Sequence, residues 1–481
     1  MIRRTYILIS ILLFPILILT YFYLPDQSIL LTLLIILIFV GWYDVLQKKN
    51  AILRDYPIVG HARYMLKAIA PELQQYFIET NTSGHPFTKN EINLINSRSD
   101  NKEEFHPFGS ELDFYKNEVS WVGHSMIPGK ERKTQPRVLI GNSNCDKPYN
   151  SSILNISAMS FGALSAHAII ALNKGAKLGG FYHNTGEGSL TPFHQQGGDI
   201  VLQIGTGNFG FRNDDGSFND QKFTEKTALP EVKMVEVKLS QGAKPGHGGV
   251  LPAAKNTNEI AKIRGVQPHT DVFSPPLNPE ISSIEDIPKF IGRVRKLSHG
   301  KPVGFKLCIG VKSEFEQLID YCVSQGNIPD FITVDASEGG TGAAPLEYSD
   351  HIGMKGEDAL VFVDQVLKEK GVRREIKIIY AGKVMNGFTL LKALCLGADL
   401  CNSARGFMFS LGCIQSLRCH TDTCPTGIAT QDKALQEGLD PTVKSNRVYN
   451  YHKNTIDAFL EIMKTVGCND ISELNKELIH N

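Results

Sequence analysis

The first fifty residues and the rest of the chain carry different patterns of apolar and polar positions. Two almost uncharged runs, "YILISILLFPILILTYFYL" (Tyr6 to Leu24) and "SILLTLLIILIFVGWYDVL" (Ser28 to Leu46), open the chain. Each is close to the roughly 20 residues that cross a bilayer as a helix. The "PDQ" between them, Pro25 to Gln27, predicts a tight turn and hence a helical hairpin. Arg3 and Arg4 precede the first run, and Lys48, Lys49 and Arg54 follow the second. Positive flanks stay on the cytoplasmic side. The expected arrangement is a two-pass anchor in the cell (inner) membrane, with everything downstream cytoplasmic. A cleaved signal peptide is the competing reading. The second run has no charged n-region of its own, and no small-x-small site ends the first.

Residues 48–117 are mixed and polar, and "NSRSDNKEEFH" (Asn96 to His106) reads as a surface loop. From Val138 onward short apolar runs alternate with helical stretches: "RVLIG", "SILNISAMS", "GGFYHNTGE", "DIVLQIGTG", "MVEVKLS", "PVGFKLCIG", "FITVDASEGG", "IKIIYAGK" and "LCNSARG". Apolar strands flanked by helices predict a parallel sheet covered on both faces. Roughly eight of them fit an α/β fold of the closed (β/α)8 TIM barrel type. A doubly wound open sheet is the competitor. The barrel is favoured because Gly, Ser, Asp, Lys and Glu stand at the C-terminal end of nearly every run, the active face of such a barrel. "NYHKNTIDAFLEIMKTVG" (Asn450 to Gly467) predicts an amphipathic helix packed outside. The expected division is hairpin (1–47), linker and helical lead-in (48–117), barrel with a cysteine-rich loop (118–433) and C-terminal helices (434–481).

Composition narrows the class. The 481 residues carry 50 Lys plus Arg against 50 Asp plus Glu, and no aromatic-basic stripe, so no nucleic-acid partner is expected. The nine cysteines are odd in number and mostly scattered, unlike a secreted disulfide framework. Cys145, Cys308, Cys322, Cys395 and Cys468 are read as small core residues.

Candidate chemistry sits at the strand ends. "YAGKVMNG" (Tyr380 to Gly387) and "NSARG" (Asn402 to Gly406) follow the expected seventh and eighth strands. Loops in that place, with a short helix N-terminus, make the usual phosphate site of the fold. Gly382 and Gly406 admit close backbone approach, and Lys383 and Arg405 bring charge, although ordinary turns carry glycines too. Lys306 stands in an otherwise apolar strand and needs a partner. Either a flavin ring or a core carboxylate such as Asp335 would serve. The Gly339-Gly340-Thr341-Gly342 run suggests close approach to a ligand. Glu187 ends an early strand in "NTGEG", Lys244 lies in the glycine-rich "QGAKPGHGG", and Arg264 closes "IAKIRG". Two cations suit a dicarboxylate, though each alone reads as a surface charge.

Three cysteines remain, in "LGCIQSLRCHTDTCPTGIATQ". Five residues separate Cys413 from Cys419 and four separate Cys419 from Cys424, with a proline after the last. Zinc wants four ligands, and His420 adjoins Cys419 too closely to complete such a set. Three thiolates, and proline after a ligand cysteine, suit an iron–sulfur cluster. Zinc and a purely structural role stay open on spacing alone.

"ISAMSFGALSAHA", "NTGEG", "QGAKPGHGGVLPAAK", "SPPLNPEISSIEDI", "SEGGTGAAPL" and the cysteine segment together resemble the flavin-binding synthase domain of glutamate synthase, over about Ile156 to Lys433. The resemblance implies a (β/α)8 barrel holding FMN beside a [3Fe-4S] cluster. It puts the cluster ligands on Cys413, Cys419 and Cys424, and the carboxylate near the flavin on Glu187. It puts the 2-oxoglutarate contacts on Gln241, Lys244 and Arg264, with Glu187 and Lys244 catalytic. The flavin contacts are expected at Ser160, Gln203, Lys306, Asp335, Gly339, Gly340, Gly382, Lys383, Arg405 and Gly406. "KPGHGGVLP" departs from the family's usual "KPGEGGQLP" at His247 and Val250, which puts the exact oxoacid in doubt. Nothing upstream of the barrel is long enough for a glutaminase domain, so a stand-alone, membrane-anchored type is expected. Its partners would be ammonia, 2-oxoglutarate or a related oxoacid, and a one-electron donor such as ferredoxin. The rival expectation is a membrane-tethered flavin and iron–sulfur electron-transfer module with no amination activity. A hydroxyacid-oxidase-like FMN barrel is disfavoured by the cysteine triad.

Overall fold

Both apolar runs form helices, Ile2–Tyr23 and Ser28–Leu46, each long and apolar enough to cross a membrane. The computed structural model describes residues 2–23, 27–115, 119–132 and 134–480. Pro25 and Asp26 of the expected turn, and the expected boundary at Asn117 and Glu118, lie outside the described residues. The helices pack side by side: the Tyr6 hydroxyl donates to the Ile38 carbonyl at 2.6 Å, and Phe14 meets Phe39 edge-on at 5.7 Å. Helices Ala51–Asp55 and Gly60–Leu73 and the wider turn Gln74–Ile78 complete a first compact unit, Met1–Pro86.

The second unit, Phe87–Asn481, opens with helix Lys89–Ser99. Its start is a capping box: the Glu91 amide donates to the Thr88 hydroxyl, and the Thr88 amide donates to the Glu91 carboxylate. Asn96 to Ser99 are therefore helical, not loop. The amphipathic pattern there was masked by polar residues that dock on a later helix: Asn454 Nδ2 donates to the Arg98 carbonyl at 2.8 Å.

Eight parallel strands close into a barrel: β1 (Leu154–Ile156), β2 (Tyr182–Asn184), β3 (Asp199–Ile204), β4 (Val232–Lys238), β5 (Val303–Leu307), β6 (Phe331–Asp335), β7 (Lys377–Ala381) and β8 (Leu400–Ser403). Closure is made by β8 on β1, with Cys401 opposite Leu154 and Ser403 opposite Ile156. "RVLIG" is not among them. Arg137–Ile140 pairs antiparallel with Tyr149–Ser152 outside the barrel. That hairpin is tied to the N-terminal end, where the Asn142 amide donates to Asp330 just before β6 at 2.8 Å. Burial of one face, through Val138 and Ile140, gave it the apolar look of a barrel strand.

Helices follow most strands, but β2 runs into β3 through the short turn Gly186–Gly188. The amphipathic segment near the C-terminus is longer than expected, Pro441–Thr465, and packs against helix Ala166–Gly179 outside β1. Contact is closest at Gly175. A Cβ there would lie 2.6 Å from Val448 Cβ and 3.0 Å from the Ser445 carbonyl. Alanine gains about 1 kcal/mol over glycine inside a helix, whereas overpacking costs about 1–3 kcal/mol. The clash is with backbone and a stiff β-branched residue, so it should win. Gly175→Ala should lower the denaturation midpoint, and Val448→Ala added to it should recover part of the loss.

Candidate functional site

The barrel interior is polar for much of its depth. Along β4, "VKMVEVK", Val235 and Val237 alternate with Glu236 and Lys238, and the charged pair sits among the polar groups of the interior. Glu236 is 1% exposed. Its carboxylate accepts from Asn184 Nδ2 of β2 at 2.8 Å, Gln203 Nε2 of β3 at 2.7 Å and the Thr333 hydroxyl of β6 at 2.6 Å. Three donors on two oxygens let a carboxylate stay buried. Lys306 of β5 lies above it, with Nζ 3.2 Å from Asp335 of β6. Burial alone would lower its pKa, but Asp335, Glu236 and Glu187 outweigh that and raise it. Asp335 also accepts from the Gly242 amide at 2.8 Å, which fixes the loop carrying Gln241 and Lys244.

At the C-terminal mouth Glu187 meets three cations. Lys238 Nζ donates to its Oε2 at 2.8 Å and reaches Gln241 Oε1 at 3.3 Å. Burial would push the Glu187 carboxyl up, yet Lys238, Arg264 and Lys244 together hold it at about 2. Lys244 is pulled down to about 8, chiefly by burial, and donates to the Ala343 carbonyl at 2.6 Å. Burial likewise lowers Arg264, which donates through one terminal nitrogen to the Phe161 carbonyl while its Nε has no partner. Gly249 gives Glu187 room: a Cβ there would lie 2.5 Å from Oε1. His247 turns Nδ1 to the Gly248 carbonyl at 2.8 Å and its ring against Tyr348.

A cleft beside this cluster is lined by Ser157, Ala158, Gln241, Lys306, Asp335, Gly339, Gly340, Gly382, Lys383, Asn402, Ser403 and Arg405, among others. At its far end Lys383 and Arg405 both lie over the Phe87 ring, at 5.7 and 4.6 Å from its centre. Among the described residues neither has a carboxylate within 4 Å. Burial lowers both, Arg405 to about 10, and repulsion from Arg405 adds to the lowering of Lys383. Lys383 also takes a left-handed φ of 47°, unusual for a residue with a Cβ. Two desolvated cations side by side favour an anion between them. Ser160 and Gln203 do not line this cleft: Ser160 packs under the Gly186–Gly188 turn, and Gln203 serves Glu236. Gly406 lies inside helix Arg405–Leu411, where a Cβ would press on Ser403 and the Tyr451 ring, so packing accounts for its glycine.

Past that helix the chain winds through the three cysteines with Gln415, Leu417 and Asp422 all left-handed. The loop is lashed to the segment after β1. Gln431 Nε2 donates to the Gly162 and Leu164 carbonyls, and Lys255 Nζ bridges the Ala163 and Cys419 carbonyls at 2.6 and 3.0 Å. Burial pushes the Cys413 thiol up to about 12 and raises Cys419, each with help from the neighbouring cysteines. At Cys424 burial is outweighed by the Thr426 hydroxyl and by amides of Ala429, Thr426 and Ile428, which leave it below the usual thiol value. The three sulfurs thus lie within electrostatic reach of one another. Among the described residues no three His, Cys, Asp or Glu close up as ligands of a single metal ion. Sequence reasoning missed Glu236, Lys238, Lys255 and Phe87. The one available signal was the Glu-x-Lys alternation in an otherwise apolar parallel strand.

A closed parallel barrel whose C-terminal mouth gathers carboxylates and buried cations belongs to the (β/α)8 class. A family model described as "Conserved region in glutamate synthase" matches residues 116–469. The glutamate synthase large subunit-like protein YerD of Bacillus subtilis is 37% identical over 476 residues, covering 90% of each chain. The archaeal-type glutamate synthase [NADPH] of Thermotoga maritima is 35% identical over 327 residues, 67% of this chain and 61% of that protein. The archaeal glutamate synthase [NADPH] of Methanocaldococcus jannaschii is 35% identical over 359 residues, 74% of this chain and 66% of that protein. The chain belongs to the glutamate synthase family.

Lys238→Met should expose the dependence of Glu187 on its nearest cation. In the wild type the folded carboxyl titrates at about 2 against an ordinary 4.5. Its stabilising contribution is therefore complete above the ordinary value and is lost as pH falls through the folded one. Without Lys238 burial acts with less opposition, and the carboxyl takes up its proton at higher pH. The variant should lose on the order of 3 kcal/mol near neutrality. That deficit should narrow as the medium is acidified toward the ordinary carboxyl range, read by chemical denaturation at several pH values. A constant deficit would mean that Glu187 does not depend on Lys238.

Proposed function

We propose that this chain is an FMN- and iron–sulfur-dependent oxidoreductase that aminates 2-oxoglutarate, or a related oxoacid, with ammonia. The observation that carries the reading is the convergence, in one barrel mouth, of an ionised Glu187 with Lys238, Lys244 and Arg264 beside a cleft that ends on Lys383 and Arg405. When bound, FMN supplies the two-electron reduction of the imine carbon, and the cluster supplies electrons singly.

The residues fit both groups. Lys383, Arg405 and the amides that open helix Arg405–Leu411 would hold the FMN phosphate, since Ala404 offers no side-chain cap to those amides. Lys306, kept charged by Asp335 and Glu236, would face the ring and favour its anionic form. The Cys413, Cys419 and Cys424 sulfurs are too spread for one ion, but a cluster distributes its ligands over several iron atoms. Amides and a hydroxyl aimed at Cys424 support a thiolate there.

Lys244 and Arg264 would bind the oxoacid carboxylates, Arg264 through its free Nε edge. Glu187, held at about 2, is too weak a base to take a proton near neutrality. Its oxygens accept hydrogen bonds from the nitrogen of ammonia or imine and orient it. Lys244 Nζ, at about 8, is the group poised to hold or release a proton at working pH. The helices Ile2–Tyr23 and Ser28–Leu46, with basic residues on both outer flanks, would anchor the enzyme in the cell membrane with the barrel in the cytoplasm.

The test is an anaerobic assay with reduced ferredoxin, ammonia and a panel of oxoacids. Amino acid formation is expected, with kcat/KM for the oxoacid falling as pH rises through about 8, where free Lys244 loses its charge. Lys244→Arg, which stays charged, should lower the rate but flatten that limb. No amino acid from any oxoacid, with FMN and iron both bound, would leave only the electron-transfer role.

Cys413→Ser, Cys419→Ser and Cys424→Ser should each remove iron while retaining flavin, whereas Cys395→Ser and Cys468→Ser should retain both. Iron analysis and the flavin absorption band read the two outcomes. Zinc in place of iron in anaerobically purified protein would end the relay argument.

A further inference from the structure

The segment that follows the second apolar helix carries an apolar face that nothing in its own unit covers. Met65, Leu66, Ile69, Leu73 and Phe77 fall at helical spacing on one side of Gly60–Leu73 and the turn Gln74–Ile78, and each is between 38% and 80% exposed. The other side is polar and points inward: the Tyr64 hydroxyl accepts from Asn50 Nδ2 at 2.7 Å. Arg63 and Lys67 flank the apolar face on the side away from its own unit, both exposed. The start of the segment is pinned to the end of the apolar hairpin. Asp44, two residues before helix Ser28–Leu46 ends, is fully buried, accepts from the Ile58 amide at 3.0 Å and pairs with His61 Nε2 at 2.9 Å. The segment therefore begins at the level where the second apolar helix stops.

We propose that residues 60–78 form an interfacial helix that lies along the bilayer crossed by the hairpin, with this apolar face in the headgroup–acyl boundary. The inference rests on the reading of the hairpin as a membrane anchor. Large apolar side chains on one face, flanked by arginine and lysine, are what an in-plane helix requires. Arg63 and Lys67 have stems long enough to reach lipid phosphates while the apolar side sinks in. Continuity with the hairpin favours lipid over a second copy of the chain, because Asp44 and His61 hold the face at the height of the membrane boundary. The consequence is an in-plane attachment to the bilayer beyond the two spanning helices.

The full chain, with Trp42→Phe and Trp121→Phe as background, would be placed in phosphatidylcholine–phosphatidylglycerol vesicles. Single tryptophans would then be introduced as Ile69→Trp, Lys67→Trp and Leu37→Trp. Ile69→Trp should lose emission to shallow-brominated phosphatidylcholine and resist aqueous acrylamide; Lys67→Trp should do the reverse. Leu37→Trp, inside the second apolar helix, should respond to deep-brominated lipid. If Leu37→Trp is quenched by lipid but Ile69→Trp is open to acrylamide, the in-plane helix is wrong and the anchor stands. If Ile69→Trp is shielded from both quenchers and the chains cross-link in pairs, a second copy covers the face and the proposal is overturned. If Leu37→Trp escapes lipid quenching altogether, the anchor reading fails and the inference falls with it.

Discussion

A buried carboxylate at the centre of the barrel sets the terms for everything above it. Moving an uncompensated charge into such an interior costs several kcal/mol or forces it neutral. Glu236 is met by donors from β2, β3 and β6, three strands that reach it only because the barrel is closed. Its remaining field supports a charged Lys306, which pairs with Asp335, which accepts from the Gly242 amide. A line of charge and hydrogen bonds thus runs from the core to the loop carrying Gln241 and Lys244. Branched aliphatics are the usual filling of such a barrel; here stability is given up to fix the position of a mouth.

Charge is then distributed unevenly across that mouth. The chain as a whole is neutral, but Lys238, Lys244 and Arg264 share the single carboxylate of Glu187, and Lys383 and Arg405 have none within ion-pair distance among the described residues. Both ends of the site carry a local positive surplus. Low-dielectric walls strengthen that surplus compared with the same charges in water. A surplus at two separated places is what the proposed reading, a phosphorylated cofactor beside a carboxylate substrate, calls for.

Much of this could be read from the chain. Seven of the eight barrel strands lie within the apolar runs and β4 starts two residues ahead of its own, and the glycines, lysines and acids at their ends mark the mouth. The ninth run, "RVLIG", misled because a hairpin against the barrel floor buries one face much as a barrel strand does. Glu236 and Lys238 escaped notice because their meaning depends on partners scattered over other strands: Asn184, Gln203 and Thr333 for one, Glu187 for the other. Phe87 was passed over because it lies in a stretch that reads as polar linker, and only the fold brings its ring under Lys383 and Arg405. Gly406 shows the converse. Its place at a phosphate loop suggests close ligand approach, whereas the Tyr451 and Ser403 side chains already explain why no Cβ fits.

The two halves of the site are also mechanically linked. Residues Phe161 to Ser165, just after β1, take the Arg264 guanidinium on the Phe161 carbonyl, Lys255 on the Ala163 carbonyl and Gln431 on the Gly162 and Leu164 carbonyls. The Ser165 amide adds a bond to the Ile428 carbonyl within the cysteine loop. That loop holds three left-handed non-glycine residues, a conformation that persists only when its surroundings over-determine it. The surroundings here include the same five-residue segment that meets the Arg264 guanidinium. The segment that takes the Arg264 guanidinium thus also braces the cysteine loop. In the proposed reading, the oxoacid side and the electron-entry side therefore draw on one set of contacts.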